Sequence, residues 1–285
     1  MPTTDVSKTE KQKLHTVGLV AGRGDLPLQF CRCARQAGVE KLITVAVKGE
    51  AKPEIVDYAD SVGWVSVGQL KRMINFFKKE KVSNVVFAGQ IKPSKLFSDI
   101  KPDVRAMKLL WRLKEKNAHS IFSAVSEEFE ESGIHVLPST IFMDNEMAEE
   151  GCLGNVKLKS VDWDDVNFGK NIAREISAMD IGQTVVVKNG TVLAVEAFEG
   201  TDEAIKRGGS LGNGDVTVVK LAKPRHDMRF DVPCIGMTTL KSLQTARAKT
   251  LAIQAGKTIF LNKRDFLDRC NKEGIAVAGF KNEDI

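Results

Sequence analysis

Asp227, Arg229 and Asp231 alternate through the segment Lys223–Gly236, K-P-R-H-D-M-R-F-D-V-P-C-I-G. In an extended segment that spacing turns all three side chains to one face. A second carboxylate run precedes it. Glu196, Glu199 and Asp202 close V-L-A-V-E-A-F-E-G-T-D at Val192–Asp202. One such run is ordinarily a solvated ion-pair ladder on an edge strand. Two runs in consecutive strand–turn units can meet in space, which raises a metal or phosphate site above that reading. Glu196 shares a strand face with Val192, Ala194 and Phe198, so its carboxylate is expected among apolar neighbours and needs a cation, a metal or hydrogen bonds. Thr201 and Asp202 stand at the start of a helix, where either can cap it. Lys220 and Lys223 follow the next apolar strand, just before Asp227.

A different chemistry is offered near the start. The apolar run Thr16–Ala21 ends in Gly22-Arg23-Gly24-Asp25-Leu26-Pro27. Glycines let the backbone approach a ligand, and the N–H groups of a helix N-terminus favour an anion. Pro27 suits the first turn of a helix continuing to Gln36. The third glycine of the dinucleotide fingerprint is absent, so a tight strand-to-helix turn and a phosphate or sugar contact are both open. Gly89 and Gln90 follow another buried-type strand, Asn84–Ala88. If these strands run parallel, both turns lie at the carboxyl edge of one sheet, where ligands gather.

Strands and helices that position these residues alternate through the first half: strands at Thr16–Ala21, Lys41–Val47, Gly63–Val67, Asn84–Ala88 and Ile134–Leu137, helices over 69–80, 103–116 and 120–132. Met107 and Trp111 are expected in the core. Weak periodicity over 138–164 predicts a linker. A helix over 165–178 follows, then a hairpin around Asn189-Gly190, a strand over 215–221, a helix over 238–248, strand-like segments flanking Gly256, a helix over 263–272 and a strand over 275–278. The fold class is α/β: a polar tail (1–14), an N-terminal Rossmann-like parallel-sheet domain (15–137), a linker (138–164) and a C-terminal mixed α/β domain (165–285) carrying the catalytic groups.

With 285 residues, 42% hydrophobic and 28% charged, the chain is long enough for two moderate domains. A net charge of +5 suits an anionic ligand or membrane surface. No basic–aromatic interleaving points to nucleic acid. Five cysteines without C-x-x-C argue against a disulfide framework or zinc knuckle and for a reducing cytosol. No apolar run approaches the ~20 residues of a span, so membrane contact is expected to be peripheral. The sequence leaves the oligomeric state open, a homodimer included.

The order of motifs resembles the LpxI family of UDP-2,3-diacylglucosamine pyrophosphatases. The stretches that carry the resemblance are G-L-V-A-G-R-G-D-L-P-L at Gly18–Leu28, V-V-F-A-G-Q-I at Val85–Ile91, G-Q-T-V-V-V at Gly182–Val187, the two carboxylate segments quoted above, and A-I-Q-A-G-K-T at Ala252–Thr258. The resemblance implies Mg²⁺-dependent hydrolysis of UDP-2,3-diacylglucosamine to UMP and 2,3-diacylglucosamine 1-phosphate in lipid A synthesis, at the cytoplasmic side of the inner membrane. On that reading Asp227 and Asp231, with Glu196 or Glu199, hold the metal and orient a water. Arg229, Lys220 and Lys223 neutralise phosphate oxygens. Gly22, Gly24, Leu26, Pro27, Gly89, Gln90, Thr201 and Asp202 contact substrate. Spacing does not divide ligand from base among the carboxylates. Two departures stand out: Asn117-Ala118-His119 where the family commonly has an acidic pair, and His226 where it commonly has Gln. The alternatives are a nucleotide-sugar or lipid binding protein without turnover, and a nicotinamide-dependent oxidoreductase.

Overall fold

A computed structural model describes residues 14–91, 102–113, 118–223, 227–230 and 232–281. The chain divides into two compact units: the described residues of Met1–Asp144 together with those of Asp227–Asp231, and those of Asn145–His226 and Val232–Ile285.

The first unit is a parallel sheet. Its strands are β1 (Thr16–Ala21), β2 (Lys41–Val47), β3 (Ser61–Val65), β4 (Asn84–Ala88) and β5 (His135–Leu137), in the order β3-β2-β1-β4-β5. Beyond their first residues, Thr16 and Lys41, β1 and β2 are buried on both faces, as a sheet covered by helices requires. The helices are α1 (Leu26–Gln36), α2 (Leu70–Lys79), α3 (Val104–Arg112) and α4 (Ala118–Glu130). α2 buries Leu70, Ile74 and Phe77, the i, i+4, i+7 spacing of one helical face. The strand order reverses between β1 and β4, the position at which open α/β sheets form a crevice.

The second unit holds a six-stranded sheet: β6 (Gly151–Cys152), β7 (Thr184–Lys188), β8 (Thr191–Val195), β9 (Val216–Lys220), β11 (Ala248–Gln254) and β13 (Ala276–Phe280), in the order β6-β13-β11-β9-β7-β8. β13, β11 and β9 are parallel, while β7 runs antiparallel to both β9 and β8. Asn189 and Gly190 both have positive φ, 49° and 70°, and close the β7–β8 hairpin that their sequence predicts. The buried carboxylate of Asp165 accepts both of their N–H groups, at 3.1 and 2.8 Å. α5 (Ser160–Ala178) covers one face of the sheet. α6 (Thr201–Gly212), α7 (Met237–Thr245) and α8 (Lys263–Lys272) cover the other. Val185 and Val187 turn toward α5, whereas Val186 between them turns to the opposite core. A side β-bridge pair, β10 (Cys234–Ile235) and β12 (Ile259–Phe260), is parallel.

Several expectations shift. β3 begins two residues before the predicted strand and ends at Val65. α7 ends at Thr245, and Ala248 onward is strand, because the left-handed Arg247 (φ 48°) breaks the helix. The segment 257–261 pairs with Cys234–Ile235. Residues 138–164 contain β6 and the start of α5. Met107 and Trp111 are not core residues: they are 41% and 80% exposed. No helix among the described residues is long and apolar enough to cross a membrane.

α6 crosses α7 where Gly209 faces Ala246. A methyl group on Gly209 would collide with the Ala246 backbone, which no side-chain rotation relieves. Gly209→Ala is expected to cost about 1–3 kcal/mol, the usual range for overpacking. Urea unfolding checks it: an unchanged midpoint would show that the two helices separate without penalty.

Candidate functional site

In the first unit the turns after β1 and β4 are zipped together. The Arg23 N–H donates to the Gln90 carbonyl at 2.7 Å, the Gln90 N–H returns a bond to the Arg23 carbonyl at 3.1 Å, and the Gly22 N–H donates to the Ala88 carbonyl at 2.8 Å. A Cβ on Gly22 would lie 2.6 Å from the Gln90 carbonyl oxygen, and one on Gly89 (φ 89°) 2.6 Å from that of Arg23. These two glycines are therefore required by the approach of one turn to the other. Gly24 differs: its φ is 100° and nothing lies within 4 Å of the place a Cβ would take. Its backbone faces open space. Pro27 is buried in the first turn of α1, Leu26 is half-buried, and Gln90 is exposed. Asp25 is the N-cap of α1, but its carboxylate makes no capping hydrogen bond and pairs with Lys52 instead.

Asp227–Phe230, assigned by chain order to the C-terminal domain, instead docks on the first unit. Phe230 stacks on Phe122 of α4, with centroids 5.6 Å apart and planes at 21°. The Ser139 N–H donates to the Met228 carbonyl at 2.8 Å. The Ser139 hydroxyl is buried within hydrogen-bond reach of the carbonyls of Phe87, at 2.6 Å, and Arg229, at 2.9 Å. Ser139 thus ties the end of β4 to this turn. Nothing in its sequence neighbourhood signals that role, beyond a small hydroxyl directly after Pro138.

The extended reading of this segment is corrected. Residues 228–230 form a turn closed by the Phe230 N–H on the Asp227 carbonyl, at 3.0 Å. An Asp carboxylate can mimic the backbone by accepting an N–H two residues on. Here Asp227 Oδ1 accepts the Arg229 N–H at 3.0 Å. The same carboxylate receives the guanidinium: Nε at 2.9 Å from Oδ1 and Nη2 at 2.6 Å from Oδ2. The pair is half-buried, with Asp227 21% and Arg229 33% exposed. The hydrogen bond to Asp227, with the nearby charges of Glu130 and Glu127, holds Arg229 protonated even above the usual arginine range. Asp231 and His226 lie outside the described residues, as does Asn117.

Beside this turn is a cavity of about 120 Å³ at the carboxyl edge of the parallel sheet. Val20, Val47 and Phe87 close its floor, and Leu109 and Phe122 belong to its helical wall. Ser66 is the sole polar side chain among its described lining residues. Phe122 both lines the cavity and stacks on Phe230.

In the second unit Glu196, Thr201 and Lys220 are joined. β8 and β9 are parallel, so the end of each, and the N-terminus of α6 between them, fall at one edge. The Thr201 hydroxyl donates to Glu196 Oε1 at 3.0 Å and accepts from Lys220 Nζ at 2.9 Å. The Gln183 N–H reaches Glu196 Oε2 at 3.3 Å. Glu196 and Lys220 are both buried. Burial pushes the Lys220 ammonium below the usual lysine range, and the charges of Glu196, Cys234 and Asp202 oppose that shift. Asp202 Oδ1 accepts from the Ser242 hydroxyl at 3.0 Å. Neither Thr201 nor Asp202 caps α6; the N-cap is Gly200. Glu199 is taken up by Arg207, at 2.6 Å, and Lys223 by Asp180, at 2.6 Å.

Among the described residues no three His, Cys, Asp or Glu side chains converge as a metal cage. Glu196 and Glu199 belong to the second unit and Asp227 to the first.

Residues 16–145 match the family model described as the LpxI N-terminal domain, and residues 149–278 the model described as the LpxI C-terminal domain. The UDP-2,3-diacylglucosamine pyrophosphatase LpxI of Caulobacter vibrioides is 28% identical over 278 residues, covering 93% of this chain and 98% of that protein. Partial likenesses to solved structures are slight. The biotin carboxylase subunit of pyruvate carboxylase is 17% identical at a TM-score of 0.25, over 61% of this chain and 34% of that one. The biotin carboxylase of Campylobacter jejuni is 13% identical at 0.29, over 70% and 42%. Scores this low carry no argument.

Proposed function

We propose that this chain, which belongs to the LpxI family, hydrolyses the pyrophosphate bond of UDP-2,3-diacylglucosamine, releasing UMP and 2,3-diacylglucosamine 1-phosphate in lipid A synthesis. The observation that supports this most directly is the shared wall at Phe122. That ring lines an apolar cavity and also stacks on Phe230, in the turn that carries the Asp227–Arg229 pair. A substrate with acyl chains and a diphosphate needs an apolar recess and a charged centre in close succession.

In this reading the cavity takes an acyl chain and excludes water from it. The open backbone at Gly24 approaches the nucleotide or its phosphates. Arg229 supplies a planar fork for phosphate oxygens, which compete with Asp227 for it. Asp227, released in that exchange, orients the attacking water and accepts its proton. The family resemblance also implies Mg²⁺, which would neutralise charge on the diphosphate. Mg²⁺ keeps several waters and needs only one or two carboxylates, so Asp231 would hold it when bound, leaving the Asp227 carboxylate to take the proton. Glu196 and Lys220 are held by Thr201, and their part is to fix the start of α6, where Asp202 stands.

Incubating the protein with UDP-2,3-diacylglucosamine and Mg²⁺, and following UMP, tests the reading. Tight binding without UMP would favour the non-catalytic alternative. A further prediction concerns Gly24. A β-branched side chain at positive φ is strained by ~1–3 kcal/mol, and it also fills the open approach. Gly24→Val is expected to raise KM about tenfold with little change in kcat. A loss of kcat at constant KM would move this turn from binding to chemistry.

A further inference from the structure

We propose that the outward face of α3 is the surface by which this protein docks on an anionic lipid bilayer. The purpose rests on the lipid-linked substrate above; the chemistry rests on the helix. Val104, Met107 and Trp111 are 68%, 41% and 80% exposed. Their i, i+3, i+7 spacing makes them one stripe. The opposite side is apolar as well: Ala106 and Leu109 are buried and line the cavity. A helix in water gains nothing from presenting tryptophan, methionine and valine together, whereas at a headgroup boundary all three are favoured.

The stripe is flanked by cations. Arg105 and Arg112 share one carboxylate, that of Glu128 on α4, with Arg112 Nη2 at 2.5 Å. Lys108 makes no ion pair among the described residues. Asp103, the half-buried N-cap of the helix, accepts the N–H groups of Arg105 and Ala106, at 3.1 and 3.0 Å, and of Lys71, at 2.6 Å. Arg105, Lys108 and Arg112 against the carboxylates of Glu128 and Asp103 leave a net positive charge here, the complement of an acidic bilayer surface. A second copy of the chain is a poorer fit, because a two-fold contact sets the same cations against each other. The position also has a use. With the cavity on its inner side, α3 leaves only its own width, ~10 Å, between the bilayer and the acyl recess.

The test is sedimentation of the full-length protein with substrate-free vesicles, of phosphatidylcholine alone and of phosphatidylcholine with phosphatidylglycerol. The wild type is expected to partition onto the anionic vesicles and to release with salt. Trp111→Glu should lower partitioning about tenfold, and Lys108→Ala about fivefold. Both variants should keep the wild-type melting temperature, since both side chains are exposed. Equal binding by wild type and Trp111→Glu overturns the proposal, as does wild-type binding that ignores lipid charge. So does a wild-type dimer that Trp111→Glu converts to monomer without altering vesicle binding. Turnover of detergent-dispersed substrate should be unchanged in Trp111→Glu. Failure of the wild type to release UMP would sink the substrate assignment and leave the vesicle result standing.

Discussion

Asp227→Asn is expected to lower turnover by ~10²-fold or more, the scale of a lost acid–base group, while the melting temperature stays close to that of the wild type. The turn explains why asparagine is the right replacement. Its amide oxygen keeps the acceptor for the Arg229 N–H, so the turn persists, and with it the Phe230 stack and the Ser139 contacts. What disappears is the negative charge that neutralises Arg229 and, in the proposed mechanism, orients water. If the pair is only a structural clamp, the same variant should lose stability and keep its rate. Arg229→Lys adds a second reading, because lysine keeps the charge but not the fork. Measuring kcat beside the thermal midpoint decides between clamp and chemistry; normal turnover in Asp227→Asn would remove this residue from the mechanism.

A comparably large effect, on stability, is expected at Glu196. Removing one member of a buried charge pair is costly because the other stays behind. Here the pair meets through the Thr201 hydroxyl, so the lower end of the usual range applies: Glu196→Ala should cost about 3 kcal/mol at neutral pH. The pH dependence has a definite sign. Lys220 is held below the usual lysine range by burial, so between its folded value and the ordinary one the unfolded chain binds more protons. Stability from this group therefore rises with pH across that window. Glu196 works against the depression, so its loss widens the window downward. The variant should recover stability on alkalinisation more than the wild type does. Lys220→Met added to Glu196→Ala should restore much of the loss and abolish the extra pH response. Urea unfolding of the three proteins at neutral and alkaline pH checks this. Unchanged stability together with lost Mg²⁺ dependence would instead make Glu196 a metal ligand.

Local chemistry made much of the scaffold legible. Thr16–Ala21 and Lys41–Val47 are strands to the residue because their apolar runs have hard stops at Gly22 and Lys48. Asn189-Gly190 announced its hairpin because few other pairs accept two positive φ angles. The site was less legible, because its determinants are long-range. Alternation at Asp227, Arg229 and Asp231 looks extended until a side-chain oxygen, that of Asp227, takes the place of a strand partner. Gly22 and Gly89 read alike with Gly24, yet two of the three are spent on each other across 67 residues of chain. The burial of Lys220 follows from strand order, which its neighbours in sequence do not reveal. Trp111 looked like core because helical spacing identifies a face without saying what the face meets.

The return of Asp227–Phe230 to the first unit also governs the order in which the protein can be finished. A nascent chain emerges N-terminus first, and the parallel sheet has all five strands once Leu137 is made. Phe122, Ser139 and the neighbouring carbonyls still wait for partners encoded roughly 90 residues later, an interval on the order of 5–20 s at ~5–20 residues per second. During that interval the unit presents an apolar ring where Phe230 will stack. Its last contact is made by a segment flanked on both sides by the second unit's sequence. Maturation of the proposed charged centre is thereby delayed until most of the chain exists, and a ribosome-bound intermediate lacking it should be recognisable by protease sensitivity around Phe122.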